Sequence, residues 1–382
     1  MKTMTTTLLL VAVSLLSQCE AADNEPLFER KDVFVAGRDN VREYRIPALA
    51  TTGKGTLIAV CDARVEKRGD AINNIDLVMK RSFDGGRTWE PLEVLADFPG
   101  QQAAADPCIL IDRTTGTISV CYDHVLAELD RSGRRKRERR IISLHMIRSR
   151  DDGRTWSKPT DLTGTVKQDG WEAVMVAPGR GIQTRGGSLV FPGYSRRPEA
   201  DHAHVMYSDD HGETWQINSD AGPKVNECQV VELVDGSLML NMRSYRGKTC
   251  RAVATTDDAG RTWHKIVDDT NLPESKCQAS FIRHTDLRDG FQKNRLLFSN
   301  PANTTGRVNM TVRLSYDEGK TWPISKVIHT GPSAYSCLTV LKDGTIGLLY
   351  ENGQASPYEK LTFARFNLEW LTDGRDTLTR DK

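Results

Sequence analysis

Short apolar runs broken by turn residues extend along the whole chain. Residues 56–61, 75–79, 117–122, 188–191, 229–233, 237–241, 296–299 and 345–350 are rich in β-branched and aromatic positions. Each run is bounded by Gly, Asp, Asn or Pro, which is the signature of β-strands. Asp235-Gly236 and Asp343-Gly344 predict hairpin connections between adjacent runs. No stretch sustains a helical period of apolar positions. The pattern predicts an all-β chain.

Laid over the strands is a repeat. The frame Ser/Thr-x-Asp-x-Gly-x-Thr-Trp occurs at 82–89, 149–156, 208–215, 256–263 and 315–322, each copy roughly 50–65 residues after the last. Asp and Gly supply turn geometry, and the hydroxyls satisfy turn backbone groups. The Trp is expected to start the next strand as a large apolar anchor. Four-stranded units at this spacing point to a β-propeller. One more unit shared between residues 27–60 and 335–370 gives six blades of four antiparallel strands, closed by joining the chain ends. A β-sandwich does not account for the regular spacing.

Composition changes this picture little. The 382 residues are 38% hydrophobic and 27% charged with a net charge of +1, an ordinary globular balance that gives no sign of a nucleic-acid partner. Residues 1–22 resemble a secretory signal: Lys2, an apolar run over 8–16, then Cys19-Glu20-Ala21 as a cleavage site. That run is too short to span a bilayer. Residues 23–382 are then one exported domain, secreted or periplasmic, with no membrane span and expected to be a monomer; lipoprotein anchoring through Cys19 is the weaker alternative, since Gln18 is bulky. Of the eight cysteines, the seven beyond Cys19 lack C-x-x-C spacing and mostly sit in apolar runs, as buried free thiols do. A pairing of Cys228 with Cys277 between neighbouring units remains open. The basic stretch 131–140 reads as a solvated hairpin tip between strands over 119–129 and 141–147, with polyanion binding as the less favoured reading. Asn303 and Asn309 head glycosylation sequons. The eight histidines form no metal-binding cluster, so neither metal nor cofactor is expected.

Chemistry should reside in unrepeated polar residues beside the inner strands. Arg45 in Tyr44-Arg45-Ile46-Pro47, Glu227, Arg243, Arg307 and Tyr335 stand out. With the five boxes, Asn226-Glu227, Asn241-Met242-Arg243 and Ala334-Tyr335-Ser336, they resemble the exo-α-sialidase (neuraminidase) family over residues 27–370. The box alone also occurs in binding propellers; the Arg-Ile-Pro motif ahead of ordered arginines and a tyrosine is more specific.

The resemblance implies a set of roles. Arg45, Arg243 and Arg307 would clamp the carboxylate of a sialic acid, for which planar guanidinium forks are suited. Glu351 would orient the first arginine. Tyr335 would be the nucleophile, because a carboxylate there would meet the substrate's own carboxylate, and sialidases are the tyrosine exception among glycosidases. An unaided phenol, with a pKa near 10, is too weak, so Glu227 would take its proton. Asp70 would be the general acid, on a loop beyond a sugar-contacting Arg64, with Glu66 a less favoured substitute. Its pKa would have to rise for acid catalysis, by desolvation as the loop closes over substrate. Asp106 would contact the 4-hydroxyl region, Asp76 would support Arg64, and Trp171 and Met175 would wall the N-acetyl or glycerol groups. The implied reaction is retaining hydrolysis of terminal α-linked sialic acid from glycoconjugates. Transfer to a second sugar and non-catalytic glycan binding are the alternatives.

Overall fold

The computed structural model describes residues 25–129 and 135–380. Residues 1–22, where a leader is expected, Cys19 among them, and the tip of the basic stretch lie outside the described residues.

The strands pair antiparallel in runs of four. Glu43–Thr51, Leu57–Arg64, Ile75–Ser82 and Glu93–Ala96 form the first run. Ala103–Ile111, Ile118–Leu129, Arg135–Ser149 and Thr160–Asp161 form the second. Ala173–Val176, Leu189–Arg196, Asp201–Ser208 and Gln216–Pro223 follow, then Val225–Glu232, Leu238–Ser244, Cys250–Thr256 and Val267–Pro273. Ser280–Thr285, Arg295–Pro301 and Val308–Ser315 are completed by the first half of the long strand Ile324–Val340. Its second half opens the last run, with Ile346–Asn352, Lys360–Phe366 and the N-terminal Phe28–Val35. Among the described residues the only α-helices are the short Thr163–Val166 and Leu368–Leu371, and no helix is long and apolar enough to cross a membrane.

The strands read as continuous apolar runs because both faces of each sheet are covered. Alternate side chains point to opposite faces. Ala48, Ala50, Ile58 and Val60 therefore pack with Ile109, Val120 and Ile147 of the second run. Their neighbours Leu49, Leu57 and Ala59 pack with Phe34, Leu349 and Phe363 of the last. Each such fully buried large side chain contributes about 1.5–3 kcal/mol.

The repeated box explains how neighbouring sheets are locked. In all five copies the Ser/Thr hydroxyl donates to the Asp at 2.8–2.9 Å and accepts the Gly N–H at 2.8–3.0 Å. The Asp also accepts the Thr N–H and hydroxyl. The glycine has a positive φ and rests on the preceding sheet. A β-carbon on Gly86 would overlap the Phe363 ring, and one on Gly260 would come within 3.0 Å of Val205. The Trp precedes the next strand instead of starting it: strands resume at Glu93, Thr160, Gln216, Val267 and Ile324. Trp89 and Trp215 donate Nε1–H to their own box glycine carbonyl at 3.0 Å, which holds them in the turn.

The first strand of each run lies against the first strand of at least one neighbouring run. Gly179–Arg180 pairs in parallel with Cys108–Ile109, so these strands point the same way. Their N-terminal ends converge on one face and their C-terminal ends on the other.

Candidate active site

Side chains from these N-terminal ends meet in a cleft of about 220 Å³. Irregularities in the first strands aim them there. The pairing slips between Arg45 and Ala48, Ala105 and Cys108, Asn226 and Cys228, and Ser333 and Ser336. Each slip carries one predicted residue: Arg45, Asp106, Glu227 and Tyr335. A β-bulge bends its strand and redirects a side chain, and such features gather beside active sites. Pro47 and Pro107 fall in two of them, as expected for proline in a strand. Ile46 and Asp106 adopt φ of +59° and +58°; for a β-branched residue this is a genuine outlier that the surroundings must enforce.

Arg45 and Glu351 form the buried base. Glu351 is fully buried. Its Oε1 accepts Arg45 Nε at 3.0 Å and the Ile46 N–H at 2.8 Å; its Oε2 accepts Arg45 Nη2 at 3.1 Å and the Tyr335 N–H at 3.0 Å. One carboxylate thus fixes both the arginine and the tyrosine backbone. Burial alone works against the Arg45 charge, but Glu351 more than restores it and lifts its pKa well above the usual value.

Tyr335 stands at the centre, almost wholly buried. Its hydroxyl lies 2.7 Å from both oxygens of Glu227 and accepts Arg243 Nη1 at 3.0 Å. Arg243 also meets Glu227 directly at 2.7 Å. Arg45 and Arg307 sit over the Tyr335 ring, 5.0 and 5.3 Å from its centre. Burial and then the Glu227 charge push the phenol well up, while Arg243 and Arg307 pull the other way. Arg307 differs from the other two arginines. It has no carboxylate partner among the described residues, donating only to the Tyr358 hydroxyl at 2.9 Å and the Lys276 carbonyl at 3.2 Å. The cluster is therefore one anion short, and the buried Nε of Arg243 has no partner.

Arg64 lies between Glu43 at 3.2 Å and Asp70 at 2.7 Å, and Asp70 also faces Arg45 at 3.8 Å. Asp70 stays exposed at the rim. Partial burial raises its pKa less than Arg64 and Arg45 lower it, so the carboxyl sits below its usual value. Glu66 is exposed outside the cleft. Asp106 behaves oppositely: burial, then Glu227 and Asp70, push it up to about 7.

Several expectations need correction. Asp76 does not support Arg64; burial and its neighbour Asp97 raise it to about 7. Trp171 is a core residue, stacked on His204 with ring centres 5.4 Å apart, whereas Met175 does line the cleft. Cys228 and Cys277 are not paired: all seven described cysteines are free and buried. The basic stretch is more than a solvated tip at its end, because Arg140 lines the cleft and its charge helps hold Asp70 low.

Sequence reasoning also missed residues. Asp62, opposite Arg45, accepts the Asp106 N–H at 3.0 Å, and Asp123 accepts the Val176 N–H at 3.3 Å. Both are held above the usual carboxylate range, by burial first and Asp106 second. Tyr194 and Arg196 complete the wall. The overlooked signal was a charge inside an apolar run, Val-Cys-Asp62 and Val-Cys-Tyr-Asp123.

A scaffold of box-locked antiparallel sheets, carrying arginines around a Tyr–Glu pair, defines a class that comparison makes specific. The BNR repeat-like domain family matches residues 55–348. Over 341 residues the chain is 38% identical to a sialidase of Bacteroides fragilis, covering 84% of this chain and 62% of that one. Over 364 residues it is 38% identical to a sialidase of Micromonospora viridifaciens, covering 91% and 55%. The chain thus spans little more than half the length of these two relatives. A Hadza microbial sialidase structure superposes with a TM-score of 0.81 at 38% identity, over 90% of this chain and 69% of that one. The chain belongs to the sialidase family.

Proposed function

We propose that this protein is an exo-α-sialidase that hydrolyses terminal α-linked sialic acid with retention of configuration. The observation that carries the reading is the Tyr335 hydroxyl, 2.7 Å from both oxygens of Glu227 and held by Arg243. A phenol in that setting has its proton acceptor in contact and cations placed to stabilise the phenolate.

The substrate carboxylate supplies the anion that Arg307 lacks and docks among Arg45, Arg243 and Arg307. Charge-assisted contacts of this kind are worth about 1.5–3 kcal/mol each. Its charge also offsets the cationic field on Asp70, whose pKa then rises toward that of a working acid. Tyr335 attacks the anomeric carbon as its proton passes to Glu227. The glycosidic C–O bond breaks, and Asp70 protonates the leaving oxygen. In the second half, water attacks the same carbon, Asp70 takes its proton, and Tyr335 leaves with the proton from Glu227. Asp106, raised to about 7, can donate a hydrogen bond to a sugar hydroxyl. The sheets are proposed to close as a six-bladed propeller, supported by Phe28–Val35 completing the sheet of the C-terminal strands.

The test is a fluorogenic α-sialoside assay with and without lactose, run on the wild type and Tyr335→Phe. Release by the wild type, lost in Tyr335→Phe and undiminished by lactose, supports hydrolysis. Sialyl-lactose as the main product makes the protein a transferase, and no release at all overturns the enzyme reading.

A further inference from the structure

The C-terminal ends of the same first strands surround a second cavity, about 440 Å³, on the face away from Tyr335. Thr51, Ile111, Glu232 and Thr339 mark those ends, whereas Arg45, Asp106, Glu227 and Tyr335 mark the opposite ones. Six cationic side chains line it. Three are answered: Arg185 by Asp289 at 2.6 Å, Arg288 by Asp286 at 2.6 Å, and Arg283 by Glu318. The other three, Arg113, Arg180 and Lys342, have no carboxylate within ion-pair distance among the described residues.

Arg180 is the unusual member. It reaches inward between the first strands, where Nη1 meets only neutral oxygens, Thr339 Oγ1 at 3.3 Å and the Leu338 carbonyl at 3.5 Å. Its Nε is shielded from water and has no partner. A guanidinium buried without a counter-charge is expensive, and structures normally supply one. Burial lowers its pKa, and the charge of nearby Arg113 adds to that effect. Arg113 is itself held in place by the Gln183 side chain and carbonyl, at 2.8 Å for its N–H and its Nη2 respectively. The three cations thus face one cavity with room for a ligand.

We propose that this cavity binds a small oxyanion of the phosphate or sulfate type, with Arg180 at its floor and Arg113 and Lys342 at its rim. The planar guanidinium suits tetrahedral oxyanions, and the ligand adds negative charge to a cavity whose six cations outnumber its lining carboxylates, Glu232, Asp286 and Asp289. The site is separate from the sialoside cleft and does not depend on the catalytic reading.

The experiment is calorimetric titration of the full chain with inorganic phosphate at fixed ionic strength, set by sodium chloride. A second arm uses galactose 6-sulfate. Wild type is compared with the Arg113→Gln/Lys342→Gln double variant, whose substituted side chains are exposed, and with Arg307→Gln, which weakens anion binding in the other cleft. The expected result is phosphate binding that Arg307→Gln leaves intact and the double variant weakens roughly tenfold or more, the loss of one or two charge-assisted contacts. Tighter binding of galactose 6-sulfate assigns the site to glycan-borne sulfate, and tighter phosphate binding assigns it to the free ion. Unchanged affinity in the double variant, loss in Arg307→Gln alone, or no binding of either probe overturns the proposal.

Discussion

Replacing Glu351 with glutamine should damage both stability and catalysis, for a reason visible in its contacts. Each carboxylate oxygen accepts one arginine N–H and one backbone N–H. A glutamine has a single acceptor oxygen. Whichever way its amide is turned, its NH₂ group faces two N–H donors, and the buried Arg45 charge is left with only the exposed Asp70, 3.8 Å away, as an anion. Breaking a buried ion pair on one side costs about 3–5 kcal/mol. An exposed pair such as Arg87 with Glu29, 4.0 Å apart, sets the contrast; removing it should cost about 0–1 kcal/mol. Urea unfolding at neutral pH of Glu351→Gln, Glu29→Gln and the wild type measures the difference. Because the same carboxylate positions Arg45 and the Tyr335 backbone, kcat/KM on a sialoside should also fall, by roughly a hundredfold. A Glu351→Gln protein no less stable than Glu29→Gln would refute the reasoning.

Other consequences can be measured separately. Asp70→Asn should lower kcat/KM for sialyl-lactose by about 10²–10⁴-fold but kcat/KM for an aryl sialoside with an acidic leaving group far less, since this ratio excludes the second half in which Asp70 is the base; equal losses in kcat/KM would remove Asp70 as the acid. Asp106 is raised from 3.8 to about 7 in the folded protein, so its contribution to stability is full below the ordinary carboxylate range and lost as pH rises through about 7. Asp106→Asn should therefore gain on the wild type between those limits, by up to about 1.4 kcal/mol per pH unit; a difference independent of pH in urea unfolding would contradict this. Asp84→Ala removes acceptors for Ser82 and Thr88 in the first box and should lower thermal stability while leaving kcat and KM per folded molecule unchanged. A changed KM would show that the box reaches the substrate.

Much of the fold was legible because the sheets are covered on both faces. That makes strands such as Leu57–Arg64 nearly unbroken apolar runs, and the box marks their spacing. The arginines and Tyr335 were legible from motif order. What escaped depends on three-dimensional convergence. Asp62 and Asp123 look like interruptions in strands until the bulges at Arg45 and Asp106 bring them beneath the cleft. The low pKa of Asp70 arises from Arg64 first and then from Arg45 and Arg140, and the last two are too remote in sequence to be read from the loop itself. Trp171 was expected in the wall of the cleft and Asp76 beside Arg64, whereas their partners, His204 and Asp97, place them elsewhere.

The central claim is that Tyr335 attacks the sugar. The direct measurement is peptide mass spectrometry after incubation with a 2,3-difluorosialic acid, whose fluorines slow the release of a covalent intermediate. The account predicts a sialyl adduct on the peptide containing Tyr335, absent from Tyr335→Phe. An adduct on another residue, or none while the wild type cleaves sialosides, would contradict it.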